Sequence, residues 1–391
     1  MFSLKIKGNI HSLSEIKKQF NLKTMKNLHK SFMDKYSWYA NWHKLPKHQL
    51  IQWMFLGIVV FGMVSLFVVR NYYPEFTIRG LYSNADQNNK FKHVKYPVKD
   101  RYMVVLKDSS DSDAEAARLT GKFGGKSNHI YKSALKGFSV EMTDKQALSL
   151  SSDDQVEYVE EDAEMTPASS MSTLYTDNFG SQSNDRPLDR VDQRALNPLN
   201  NSYHNTATGQ GVNIYIIDAP IRTTHQFFGG RATNVANLTG DNVMYDPVLC
   251  GGGHGTAVAG VAGGAPYGLA PQATLYGVKI GCGTAVAAST IVAGIDWVTQ
   301  NAVMPAVANL SYGGGVVSTI DRAASRLVAR GVVFTAAAGN FGADACNTSP
   351  ARVSEVITTG GTGGSNDSVG SAYYDEKTHT SNYGSCVDVF A

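Results

Sequence analysis

Between residues 212 and 361 the chain repeats one pattern, and that pattern leaves few folds open. Nearly continuous apolar runs, "VNIYIIDA" (212–219), "TLYGVKI" (274–280), "AVANLSY" (306–312), "GVVFTAAAGN" (331–340) and "VITTGG" (356–361), stand apart from one another. Runs of this length that do not alternate with polar residues are strands buried on both faces. Between them lie two helical patterns, "ASTIVAGIDWVTQNA" (288–302) and "STIDRAASRLVARG" (318–331). Strands alternating with helices predict an α/β domain built on a parallel sheet flanked by helices.

In such sheets ligands and catalytic groups collect at the carboxyl ends of the strands. Three polar groups fall there. Asp218 ends "IYIID", Asn340 ends "FTAAAGN", and His254 opens "GGGHGTAVAGVAGG" (251–264). That last stretch surrounds one imidazole with residues that have almost no side chain. Either its backbone packs very close to a neighbour, or the imidazole meets other groups at short range. An acid, an imidazole and an amide at neighbouring tips form an acid–base set. Taken singly, Asp218 and Asn340 also suit turns, and His254 a helix cap.

Upstream the grammar differs. "RYMVVL" (101–106), "ALKGFSVEM" (134–142) and "VEYVEED" (156–162) read as strands. "SDAEAARLTGKF" (112–123) and "TDKQALSLSS" (143–152, with Thr143 as N-cap) read as helices. Residues 101–165 therefore form a small α+β domain. Residues 166–185 are a Ser/Thr/Asn-rich linker and residues 186–391 the α/β domain. Residues 70–100 are polar and read as a stalk.

The N-terminal part carries a different signal. "IQWMFLGIVVFGMVSLFVV" (51–69) has no charged residue, and it follows fifty residues with ten Lys against only Glu15 and Asp34. A run of that length is predicted to span a membrane as a signal-anchor helix, with the Lys-rich residues 1–50 as a cytoplasmic tail. A buried core helix and a cleaved signal peptide are the other readings, but core helices keep a polar face and signal peptides are shorter and closer to the terminus. The expected arrangement is a single-pass type II protein with the α/β domain luminal or extracellular; the alternative is secretion. All four cysteines, Cys250, Cys282, Cys346 and Cys386, lie beyond the span, which is compatible with two disulfides in an oxidising compartment. Sequons at Asn200, Asn237, Asn347 and Asn366 point the same way. A net charge of only +2 gives no reason to expect a nucleic-acid partner.

Several stretches resemble the subtilases, serine proteases of the peptidase S8 family, and among them the proteinase K-like branch. "GGGHGTAVAG" is similar to their histidine motif, and "VNIYIIDAPIRTTHQFF" to their aspartate motif. "LSYGGG" is similar to their substrate-lining strand and "AAAGN" to their oxyanion motif. "YGVKI", "SPARVSEVITTGG" and "SNYGSCVDVFA" fit as well. Residues 101–165 resemble the ferredoxin-like, inhibitor-type propeptide of the same enzymes.

The resemblance implies a subtilisin-like serine endopeptidase, made as a zymogen, that takes protein or peptide substrates and carries its own propeptide as intramolecular inhibitor. It implies His254 as general base, Asp218 as the group that orients its imidazole, and Asn340 as oxyanion donor. It implies substrate binding along Ser311, Tyr312, Gly313 and Gly314, disulfides Cys250–Cys282 and Cys346–Cys386, and a structural calcium ion held by Asp388 with backbone carbonyls of "SEVI". No catalytic cofactor is implied. "NLSYGGG" offers no acidic group, so an apolar or aromatic residue is expected before the scissile bond rather than a basic one.

The pattern breaks in three places. The G-T-S-M-A motif that carries the nucleophile does not occur in residues 1–391. The chain by itself is therefore expected to be inactive, either as the C-terminally incomplete part of an enzyme or as an inactive homologue that binds peptides. Ala219-Pro220 follows Asp218 where the family has Thr/Ser-Gly, which removes a hydroxyl that could help hold the aspartate. Ala257 replaces the second histidine of the motif.

Overall fold

The computed structural model describes residues 4–6, 9–11, 90–168, 191, 207–245, 250, 253–362 and 376–391. The signal-anchor span at 51–69 lies outside the described residues, as do most of the tail and stalk and all but the first residues of the linker. Among the described residues no helix is long and apolar enough to cross a membrane. The chain divides into two units, Met1–Gln87 and Asn88–Ala391. In the first, strands β1 (Leu4–Ile6) and β2 (Asn9–His11) pair antiparallel.

The second unit begins with the small α+β domain. Its elements are β3 (Phe91–Lys92), β4 (Pro97–Leu106), α1 (Ser112–Phe123), β5 (Lys126–Tyr131), β6 (Gly137–Glu141), α2 (Asp144–Ser151) and β7 (Val156–Pro167). The sheet order β7-β4-β6-β5 is antiparallel throughout, with both helices on one face, which is a ferredoxin-like arrangement. Both helices start on side-chain caps. The Asp111 carboxylate accepts the N–H groups of Asp113 and Ala114, and Thr143 and Gln146 form a reciprocal capping box. Along β4 the strand period of two sorts the core. Tyr102, Val104 and Leu106 pack beneath α1 and α2, while Met103 and Val105 face the other way and join the core of the α/β domain.

Three expectations need correction here. Residues 90–100, read as stalk, carry β3 and the start of β4. β5 was not legible: "KSNHIY" is polar, and its pairing with β6 rather than its own pattern makes it a strand. β7 runs past residue 165 into the expected linker, and its last residues form part of the functional site.

The α/β domain holds β8 (Asn213–Asp218), β9 (Ala232–Asn237), α3 (His254–Gly263), β10 (Thr274–Lys279), β11 (Val286–Ala287) and α4 (Ala288–Asn301). It continues with β12 (Ala306–Leu310), β13 (Tyr312–Gly313), α5 (Ser318–Ala329), β14 (Val333–Ala337), β15 (Ile357–Gly360) and β16 (Val389–Phe390). Seven strands in the order β16-β15-β14-β12-β8-β10-β9 make one sheet, parallel at every pairing. β8 lies inside the sheet, between β12 and β10, and is buried on both faces. Ile214 and Ile216 pack toward α3, and Tyr215 and Ile217 toward α4. Each such side chain contributes about 1.5–3 kcal/mol by leaving water. The sequon residue Asn237 spends its side-chain amide on Asp241 and Val243.

Candidate active site

Asp218 is the last residue of β8 and His254 the first of α3; the two are 0% and 2% exposed. His254 Nδ1 lies 2.6 Å from Asp218 Oδ1. A carboxylate only accepts, so Nδ1 carries the proton and donates, which leaves Nε2 as the free, basic nitrogen. Burial pushes the imidazole's pKa down, but the hydrogen bond and charge of Asp218 reverse this and leave it raised. Burial pushes the Asp218 carboxyl up, against the pull of His254 and of the Ala219 N–H, which donates to Oδ1 at 2.6 Å.

The glycine-rich start of α3 is explained by the approach of β8. A methyl group on Gly255 would overlap the Ala219 carbonyl oxygen, so the helix can bring His254 to Asp218 only with glycine there. Thr256 Oγ1 accepts the Arg222 N–H at 2.9 Å and ties the turn after β8 to the same helix. The missing hydroxyl at residue 219 has a visible counterpart: Asp218 Oδ2 is buried without a hydrogen-bond partner. The Tyr312 ring meets the imidazole edge-to-face at 6.2 Å, and burial pushes its hydroxyl pKa well up.

Asn340 stands exposed just past the end of β14, two strands from β8, or about 10 Å across the sheet at the usual strand spacing. Ser311 lies between β12 and β13, its hydroxyl accepting from Asn309 Nδ2 at 2.9 Å. The four cysteines pair as expected. Cys250–Cys282 and Cys346–Cys386 have Cα atoms 4.5 and 5.2 Å apart.

Past residue 163 the end of β7 lies between two short strands of the α/β domain. Met165 and Glu164 pair with Val286 and Ala287 of β11 on one side. Pro167 and Thr166 pair with Tyr312 and Gly313 of β13 on the other. The Ala168 N–H then donates to the Ser311 carbonyl at 2.8 Å. Met165 is fully buried, and a side chain on Gly314 would come within 2.7 Å of its sulfur.

Three carboxylates join the two domains, and none was singled out from the sequence. Glu160 accepts the N–H groups of Ser318 and Thr319 (2.9 and 2.8 Å) and the Thr319 hydroxyl (2.7 Å) at the start of α5. Asp162 accepts the Ser289 N–H (2.9 Å) and hydroxyl (2.6 Å) at the start of α4. In return, Asp296 of α4 accepts the N–H groups of Lys132, Ser133 and Ala134 at 2.9, 2.6 and 2.6 Å. A signal was present: three consecutive acids, Glu160, Glu161 and Asp162, break the strand alternation of "VEYV" just before them.

Asp388 lies just before β16. Its Oδ2 accepts the Thr358 N–H at 2.8 Å. Among the described residues no group of three or more His, Cys, Asp or Glu gathers around it or elsewhere. Any cation there would be held by one carboxylate, backbone carbonyls and water, a hard oxygen set suited to calcium.

Comparison with known proteins agrees with this geometry. The sequence model described as "Subtilase family" matches residues 209–391, and that described as "Peptidase inhibitor I9" matches residues 101–168. The chain is 37% identical over 319 residues to the extracellular serine proteinase of Thermus sp. (strain Rt41A), covering 74% of this chain and 71% of that protein. The chain belongs to the subtilase family. The alkaline serine exoprotease A of Vibrio alginolyticus is 37% identical over 308 residues, but this subtilase spans only 54% of its length. Fervidolysin from Fervidobacterium pennivorans, described as a keratinolytic enzyme related to subtilisin, shares the fold with a TM-score of 0.56 at 19% identity. That match covers 78% of this chain and 49% of the other. The subtilase domain and its inhibitor-type propeptide are thus both present, in the order of the proteinase K-like serine proteases.

Proposed function

We propose that this subtilase is the precursor of a serine endopeptidase whose residues 101–168 sit, covalently attached, in its own substrate cleft. The observation that carries the proposal is the path of β7 between β11 and β13, which makes residues 164–168 a peptide bound by strand addition. In that register Ala168 is the residue before the scissile bond, and the bond to be cut is Ala168–Ser169. His254 then acts as general base through Nε2, Asp218 fixes its tautomer and stabilises the imidazolium, and Asn340 donates to the oxyanion. The reaction also needs a serine hydroxyl, and no serine of residues 1–391 is assigned to that role.

Ser311, Tyr312, Gly313 and Gly314 bring no acid to the cleft, and Ala168 occupies the position next to the cut. The first favours an apolar or aromatic residue there and Ala168 a small apolar one, with a long apolar side chain three positions upstream, where Met165 is buried. Two disulfides suit an oxidising compartment and support a location of the α/β domain outside the cytosol. Residues 51–69 are proposed as its type II membrane anchor, with secretion as the alternative. A structural calcium ion at Asp388, completed by carbonyls near Ser354–Ile357, is part of the same proposal.

The test is N-terminal sequencing of the protein produced from its gene in cells, as wild type and as His254→Ala. A new terminus at Ser169 in the wild type alone is expected. A terminus elsewhere, or cutting that persists in the variant, would overturn the assignment. A second reading is a catalytically inactive, membrane-tethered homologue that binds peptides. An uncut wild-type chain would support it.

A further inference from the structure

Asn382 is fully buried, and its side chain uses both ends. Its Oδ1 accepts the N–H groups of Phe341 and Ala343, each at 3.0 Å. Its Nδ2 donates to the Ala338 carbonyl at 2.8 Å and to Thr348 Oγ1 at 3.2 Å. Its own N–H donates to the Gly339 carbonyl at 2.8 Å. These bonds land on residues 338, 339, 341 and 343 and bracket Asn340. Gly339 turns the chain with φ of +102°, and a side chain there would lie 2.6 Å from Asn382 Nδ2. The loop is wrapped around this one carboxamide.

Neighbouring bonds run between the same two segments. Gly342 donates to the Thr380 carbonyl, Tyr383 to the Ala343 carbonyl, and Ala345 to the Tyr383 carbonyl, each at 2.8–3.0 Å. The Cys346–Cys386 disulfide crosslinks them just beyond. Asn340 itself is exposed.

We infer that Asn382 is a positioning residue that fixes the 339–343 loop so that Asn340 presents its amide to the oxyanion. The inference rests on the oxyanion reading of Asn340 given above. A donor of this kind helps only when it is already in place as charge develops, and a displacement of about 1 Å can cost on the order of 100-fold in rate. Only a carboxamide of this length can accept two loop N–H groups and donate to Ala338 on the far side.

The test uses the full chain labelled uniformly with 15N, with the Asn340 side-chain signals assigned by their loss in Asn340→Leu. In Asn382→Ala these signals should shift and broaden, and the Phe341 and Ala343 amides should exchange with solvent at least about tenfold faster. Asn382→Asp keeps the accepting oxygen and should hold the Asn340 signals near their wild-type positions. Unchanged Asn340 signals in Asn382→Ala, while the rest of the spectrum is native, would overturn the inference. If that variant does not fold, Thr348→Val removes one Nδ2 partner; it should shift the same signals less, and their staying put would also refute the assignment. The reading beneath fails separately: in turnover by the gene's full product, Asn340→Leu would leave kcat unchanged. If it holds, Asn382→Ala lowers kcat with KM unchanged and adds nothing to the loss in Asn340→Leu.

Discussion

Glu160 gives the sharpest test of how the two domains depend on each other. It belongs to the propeptide, yet its carboxylate takes two backbone N–H groups and a hydroxyl at the start of α5. The residue before that helix, Val317, has no capping side chain. In Glu160→Ala three donors lose a buried, charged acceptor. Loss of a helix cap costs about 0.5–2 kcal/mol, and buried donors left unpaired cost about 1–3 kcal/mol each. These terms overlap, so we expect about 3 kcal/mol in total, or roughly 150-fold in the opening equilibrium of the helix start. Glu160→Gln keeps one accepting oxygen and loses the charge opposite the helix dipole, so about 1–2 kcal/mol is expected. The control is Glu157→Ala. Its carboxylate pairs with Arg322 at 2.6 Å, but both side chains are partly exposed, and about 0.5 kcal/mol or less is expected. Native-state hydrogen exchange at Ser318 and Thr319, with denaturant melts of the full chain, reads all three. If Glu160→Ala costs no more than Glu157→Ala, the propeptide carboxylate does not hold α5, and the argument fails.

Further outcomes follow from the same geometry. Burial pushes the Asp321 carboxyl up from 3.8 to about 6, against a hydrogen bond from Ser349 and the charge of Arg352. The folded chain therefore binds this proton more tightly than the unfolded one, and the group's contribution to stability is lost as pH rises from about 4 to about 6, roughly 3 kcal/mol at most. Denaturant melts should show that slope in the wild type and its loss in Asp321→Asn; equal slopes would refute it. Ala219→Ser offers a hydroxyl to the unpartnered Asp218 Oδ2 and should add about 1 kcal/mol, seen as a Tm about 2–4 °C higher, whereas a lower Tm would mean that the oxygen is already satisfied. Met165→Asp places a carboxylate in a fully buried apolar position and should release the end of β7, read as accelerated exchange of the Ala168 N–H, which donates to the Ser311 carbonyl; retained protection would argue against the strand-addition reading.

What the sequence disclosed, and what it withheld, divides along physical lines. β8, β10, β12 and β14 were legible because a strand buried on both faces must be apolar almost throughout. Asp218 and His254 were legible because an ionisable group at the end of such a strand, and another among glycines, is costly unless it is used. β5 and β9 are largely polar and become strands through their neighbours. The last residues of β7, "AEMTP", carry no strand pattern, and pairing with β11 and β13 extends them. Glu160 and Asp162 stand out as part of a run of three acids, but what they, Asn382 and Asp296 do is not written in the sequence: each works by accepting backbone N–H groups far away in the chain, and backbone groups leave no mark there. A helix exposes about four unpaired N–H groups at its start. α4 and α5 begin after Ala287 and Val317, neither of which can cap them. Two helices that flank the central sheet are thus written without their own caps, and the carboxylates that complete them lie in β7. Helix starts left incomplete until another segment docks make that docking part of folding. The strand whose end pairs with β11 and β13 therefore also completes the helix starts around it; under the proposed function, inhibition and assisted folding would be two results of one set of contacts.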